Sequence, residues 1–155
     1  MTHARRRDAP KLLVAAGVLV AASVLSGCSS PAATFDGAIE QGIAAVETAT
    51  LAVDLELDGR TFATTTTTAL GDARRELVDA SNSVAETDAT NTTDAALRAD
   101  LLDALTEGIA AVNDARDAMA GFGSLEEAEA PLEEAADALK ALEGRVAPAA
   151  NGGRR

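Results

Sequence analysis

Residues 124–146 read SLEEAEAPLEEAADALKALEGRV, and the spacing of their apolar members decides the fold. Leu125, Ala128, Leu132, Ala135, Leu139, Leu142 and Val146 alternate at three and four positions, which lines them along one face of an α-helix. Ser124 with Glu127 three residues on forms a capping box at the start. Acids crowd the first turn while Lys140 and Arg145 sit near the end, matching the helix dipole. Pro131 is the discordant residue: its missing N–H predicts a kink near the second turn.

Working back towards the N-terminus, the same period recurs three times. A third helix is predicted from about Asp94 to Ala120, with Leu97, Leu101, Leu105, Ile109, Val112 and Met119 as its stripe and Thr93 as its cap. A second runs from about Thr61 to Glu86 with Phe62, Thr66, Ala69, Ala73, Leu77, Ala80 and Val84 on one face. Its opening contains Thr64 to Thr68, a β-branched run that forms helix poorly. The first places Phe35, Ile39, Gly42, Val46, Ala49 and Val53 together and stops near Asp58-Gly59.

The links DGR, TDATNTT and GFG are short, and short links force successive helices to lie antiparallel. The fold class that follows is all-α, an up-down-up-down four-helix bundle over residues 35–146, with a coiled-coil oligomer as the alternative arrangement. Because many stripe positions are Ala or Gly, the helices are expected to approach closely.

Upstream lies a segment of different character. MTHARRRDAPK is basic, and Leu12 to Leu25 is an uncharged apolar run of 14 residues. A bilayer span needs about 20 apolar residues, so a basic leader followed by this shorter run reads as an export signal. The Arg5-Arg6 and Arg6-Arg7 pairs lack the following apolar residue that twin-arginine export expects, which favours the general secretory route.

The run closes on Leu25-Ser26-Gly27-Cys28, which resembles the lipobox of bacterial lipoproteins: an aliphatic residue, a small residue, Gly or Ala, then Cys. The resemblance covers residues 1–28 and is silent on the remainder. It implies that Leu25, Ser26 and Gly27 are read by a signal peptidase, that the chain is cut before Cys28, and that the Cys28 thiol carries diacylglycerol. The expected organisation is a signal peptide at 1–27, the lipidated Cys and a short linker at 28–34, the bundle, and a tail at 147–155. The implied location is the extracytoplasmic face of the cell membrane, held by acyl chains that contribute about 0.8 kcal/mol per buried methylene. Cys28 is the one cysteine of the chain, so an intrachain disulfide is excluded.

Composition narrows the function classes. The leader carries four of the 13 Lys and Arg and one of the 25 Asp and Glu, leaving nine and 24 and a net charge of −15. Such a surface repels nucleic acid. The single histidine, His3, lies in the leader, so the mature part offers neither a His base nor a His metal ligand, and no carboxylate falls on an apolar stripe. Enzymatic activity, a cofactor and a metal centre are therefore not expected.

Asp54 to Gly59 resembles the opening of a calcium loop, but the twelfth position, which should supply a bidentate Glu, is Thr65. Asn91-Thr92-Thr93 matches a glycosylation sequon, read here as a loop leading into a helix cap.

In this topology Phe62, Met119 and Phe122 fall at the pole farthest from Cys28, together with Leu57 and Leu125. They are expected to plug the open end of the core, with a docking tip as the alternative. The functional expectation is a non-enzymatic interaction or structural lipoprotein that meets an envelope protein partner. A small-ligand or ion-binding lipoprotein is the second expectation.

Overall fold

The computed structural model describes residues 30–146, which form four α-helices: α1 Pro31–Leu57, α2 Ala63–Ala85, α3 Thr92–Met119 and α4 Leu125–Glu143. Helix α1 starts four residues earlier than the apolar stripe suggests, so 31–34 belong to the bundle and not to a linker. The start is set by Ser30, whose Oγ accepts the Ala33 N–H at 3.3 Å, and by Pro31 in the first helical position, where the absent N–H has no helical partner to lose.

Partner numbers run in opposite directions between neighbours, which fixes the antiparallel order. Gln41 and Thr66 tie α1 to α2 through Glu76 and Glu56, Arg74 reaches Asn113 from α2 to α3, Asp100 pairs with Arg145 below α4, and Glu47 pairs with Lys140. Helix α1 contacts α2 and α4 along its sides and α3 across the short diagonal. The chain is the up-down four-helix bundle that its heptads specify.

The core is small-residue packing around a spine of Leu and Val. Phe35, Ile39, Leu70, Leu77, Leu101, Leu105, Leu132 and Leu139 are fully buried, with alanines between them. A side chain of that size contributes about 1.5–3 kcal/mol on burial. The α1–α3 approach depends on two glycines. Gly42 lies beneath Leu105 and Leu139, and Gly108 lies against Leu77 and Val46.

Helix ends show where local chemistry overrides periodicity. The cap of α3 is Asn91, not Thr93: its Oδ1 accepts the N–H groups of Thr93 and Asp94, both at 2.9 Å. At the end of α1, Gly59 has φ +66° and the Gly59 and Arg60 N–H groups bond back to Glu56 and Leu55. Gly121, with φ +89°, ends α3 the same way, as Gly121 and Phe122 donate to Ala118 and Asp117. Both are Schellman turns, whose left-handed residue favours glycine.

The threonine run is helical, and of its five members only Thr66 is turned into the core. Thr66 is buried and donates to Glu56 at 2.8 Å, while Thr67 and Thr68 return their hydroxyls to the carbonyls of Ala63 and Thr64. Pro131 sits inside α4, which continues across it from Leu125 to Glu143.

Candidate functional site

The lipobox residues Leu25, Ser26, Gly27 and Cys28 lie outside the described residues. Within them, the up-down order brings the α1–α2 and α3–α4 turns to one pole, and with them Phe62 and Phe122. The expected plug is only half correct. Leu57, Met119 and Leu125 are partly buried against the core, whereas Phe62 is 81% exposed and Phe122 79% exposed.

The turns explain both exposures. Phe62 occupies the N-cap position of α2 and makes no side-chain cap bond, so it stands where Ser, Thr, Asp or Asn would satisfy a free N–H. Phe122 follows the left-handed Gly121, and its backbone is held by the Schellman bond to Asp117 at 2.8 Å. Sequence periodicity misses this because Phe62 extends the α2 stripe by four residues, to a point where the helix has not yet begun.

Charge is distributed to one sign. Seven Lys or Arg face 24 Asp or Glu among the described residues. Arg60, Arg75, Lys140 and Arg145 form ion pairs with Asp58, Asp72, Glu47 and Asp100. Arg98 instead donates to the Val84 and Ala85 carbonyls at 3.1 and 2.6 Å, closing the C-terminus of α2 from the neighbouring helix. Arg74 and Arg116 both reach Asn113 Oδ1. Each cation thus has a partner within the chain, while the four in ion pairs remain on the surface beside the more numerous carboxylates.

Four acids, Glu47, Asp54, Glu133 and Asp137, line a cleft of about 370 Å3 between α1 and α4, together with Lys140, the exposed Leu51 and the buried Ala136. Partial burial raises the Glu129 carboxyl above its ordinary range, and a hydrogen bond to Asp54 with the charges of Asp54, Glu133 and Glu126 adds to the rise. Glu126 moves the other way, because its own backbone N–H and the Ser124 hydroxyl bond to it. The hydrogen bond and charge of Glu47 raise Lys140.

Two motifs resolve into structural roles. Asp54 and Glu56 lie within helix α1 and Asp58 caps it, so the calcium-like run is helix and not a coordinating loop. The Asn91 amide donates to Asp94 Oδ2 at 3.0 Å while its oxygen caps α3, which commits both ends of the sequon side chain. Among the described residues, no three His, Cys, Asp or Glu side chains are grouped to hold a metal ion, and no helix is long and apolar enough to cross a membrane.

Comparison with protein-family models, with curated proteins and with solved structures gave no match.

Proposed function

We propose that the protein is a lipid-anchored, extracytoplasmic lipoprotein whose helical bundle is a non-enzymatic docking module for an envelope protein. The anchoring half of this reading is supported by the order basic leader, apolar run and Leu25-Ser26-Gly27-Cys28. The docking half is carried by one observation: two phenylalanines stand exposed at the pole opposite the end to which Cys28 is joined. Aromatic residues supply most of the energy of protein contacts when a partner covers them. Phe62 moreover holds a cap position that Ser would fill better by about 1 kcal/mol, so its presence works against the stability of the free protein.

Both halves have a direct test. Cys28→Ala is expected to move the protein out of the membrane fraction as an unprocessed precursor, and a normally processed membrane form would refute the anchor. Phe62→Ser with Phe122→Ser is expected to melt at or above the parent temperature while losing its cross-linked partner at the cell surface. Early melting would return the two rings to the role of a plug.

The α1–α4 cleft supports a second reading, a small-ligand lipoprotein, since its volume falls in the range of ligand sites. Melts with divalent metals and polyamines test it. A ligand at 100 times its dissociation constant adds about 2.7 kcal/mol, and flat melting temperatures across the set would remove this reading.

A further inference from the structure

The pole opposite the phenylalanines holds a cleft of about 390 Å3 between the start of α1, the start of α3 and the end of α4. Ala32, Phe35, Leu97 and Val146 give it an apolar lining. Of the four polar residues around it, Asn91, Thr93, Asp94 and Arg145, all but the Thr93 hydroxyl already have side-chain partners within the chain. Asn91 caps α3 and donates to Asp94, and Arg145 pairs with Asp100 at 2.7 Å. A charged or strongly polar ligand would have to displace those bonds, whereas an aliphatic chain would displace none.

Chain length says which aliphatic group is at hand. Ala32 lines the cleft, Ser30 caps the helix that carries it, and Cys28 is two residues before Ser30, within about 7 Å at ~3.3 Å per residue. We infer that the cleft is the resting place of one acyl chain of the lipid on Cys28, an inference that rests on the lipoprotein reading above. Stable membrane attachment takes two acyl chains where one gives only marginal, reversible binding. A chain withdrawn into the bundle therefore converts a firm anchor into a releasable one, and it shelters that chain whenever the protein leaves the bilayer.

The test uses the chain from Cys28 onward, which holds the whole bundle core, alkylated at its single thiol with N-hexadecyl maleimide or N-methyl maleimide. The hexadecyl adduct, monodisperse by ultracentrifugation, is expected to melt several degrees above the methyl adduct. Ala32→Glu should cancel that difference. It places a carboxylate in the cleft at the first turn of α1, where no acid stands and where the helix dipole tolerates one. Equal melting of the two adducts in the parent would overturn the inference, as would a difference that survives Ala32→Glu undiminished. If the adducts separate only after residues 147–155 are removed, the tail that continues from Val146 fills the cleft and the acyl chain does not. Because the alkyl group is added chemically, these outcomes are independent of lipidation in cells. That reading fails separately, if the mass of Cys28 recovered from membranes lacks diacylglycerol.

Discussion

The two glycines at the core of the bundle differ in the room each leaves for one added methyl group. A Cβ at Gly42 would stand 2.9 Å from Leu105 Cδ2 and 3.2 Å from Leu139 Cδ1, and both leucines are fully buried. They have little room to yield, so overpacking costs about 1–3 kcal/mol against about 1 kcal/mol regained in helix propensity. At Gly108 the nearest atoms, on Leu77 and Val46, would be 3.4 Å away, which is ordinary contact, so the propensity gain stands alone. Gly42→Ala is expected to lower the thermal midpoint and Gly108→Ala to raise it, as read by circular dichroism; a rise in both would mean that α1 and α3 lie farther apart. The predicted stripes put Gly42 on the core face but take Ile109 in place of Gly108, because the stripe of α3 steps by four from Leu97 to Leu101, Leu105 and Ile109. Strict alternation of four and three through Leu97, Leu101, Ala104, Gly108, Ala111 and Ala115 follows the residues that are buried, and it leaves Ile109 half-buried. In α2 the same alternation through Thr66, Leu70, Ala73, Leu77, Ala80 and Val84 takes in Leu70, which is fully buried, and passes over the half-exposed Ala69.

Helix existence was legible in the sequence, and helix ends were legible only where the cap chemistry was unambiguous. Ser124 satisfies the Glu127 N–H at 3.3 Å, as the capping box implies, and Gly59 takes the left-handed conformation expected of a stop. The entry to α3 offers Asn91, Thr92 and Thr93 in succession, and any of the three is an acceptable cap by type. What selects Asn91 is its extended backbone, φ −154° and ψ 175°, and the two N–H groups within reach of its oxygen. Asn91→Ala is therefore expected to cost about 1 kcal/mol, whereas Thr93→Ala should be nearly silent in chemical denaturation. The reverse ranking would restore Thr93 as the cap. Exposure of Phe62 and Phe122 was not legible, because it depends on where two turns place side chains and not on any period along a helix. The lipobox lies at the other extreme: it is read entirely from residue order and lies outside the described residues.

At the scale of the whole molecule, charge sets the response to pH. With 24 acids against seven bases over the described residues, self-repulsion opposes the compact state at neutral pH, and acidification relieves it. Glu129 sharpens the effect. Its carboxyl is raised above the ordinary 4.5 in the folded protein by burial and by Asp54, so the native state binds that proton more tightly than the unfolded chain does. Stability must then increase as pH falls through the raised folded value. Glu126 acts in the opposite sense, since its lowered carboxyl contributes stability above 4.5 that is lost as pH falls through its folded value. Lys140, raised above 10.5 by Glu47, contributes stability that disappears only at strongly alkaline pH. The thermal midpoint is expected to climb as pH falls from 7 through the raised Glu129 value, pass a maximum, and decline as pH falls further through the lowered Glu126 value. Glu129→Gln should raise the midpoint at pH 7 and flatten the climb, while salt at neutral pH should imitate acid by screening the surface, whose Debye length falls from about 10 Å at 0.1 M to about 3 Å at 1 M. A midpoint that falls steadily from pH 7 downward would show that neither self-repulsion nor Glu129 governs the response. An unchanged climb in Glu129→Gln would assign it to net charge alone, without the contact between α1 and α4.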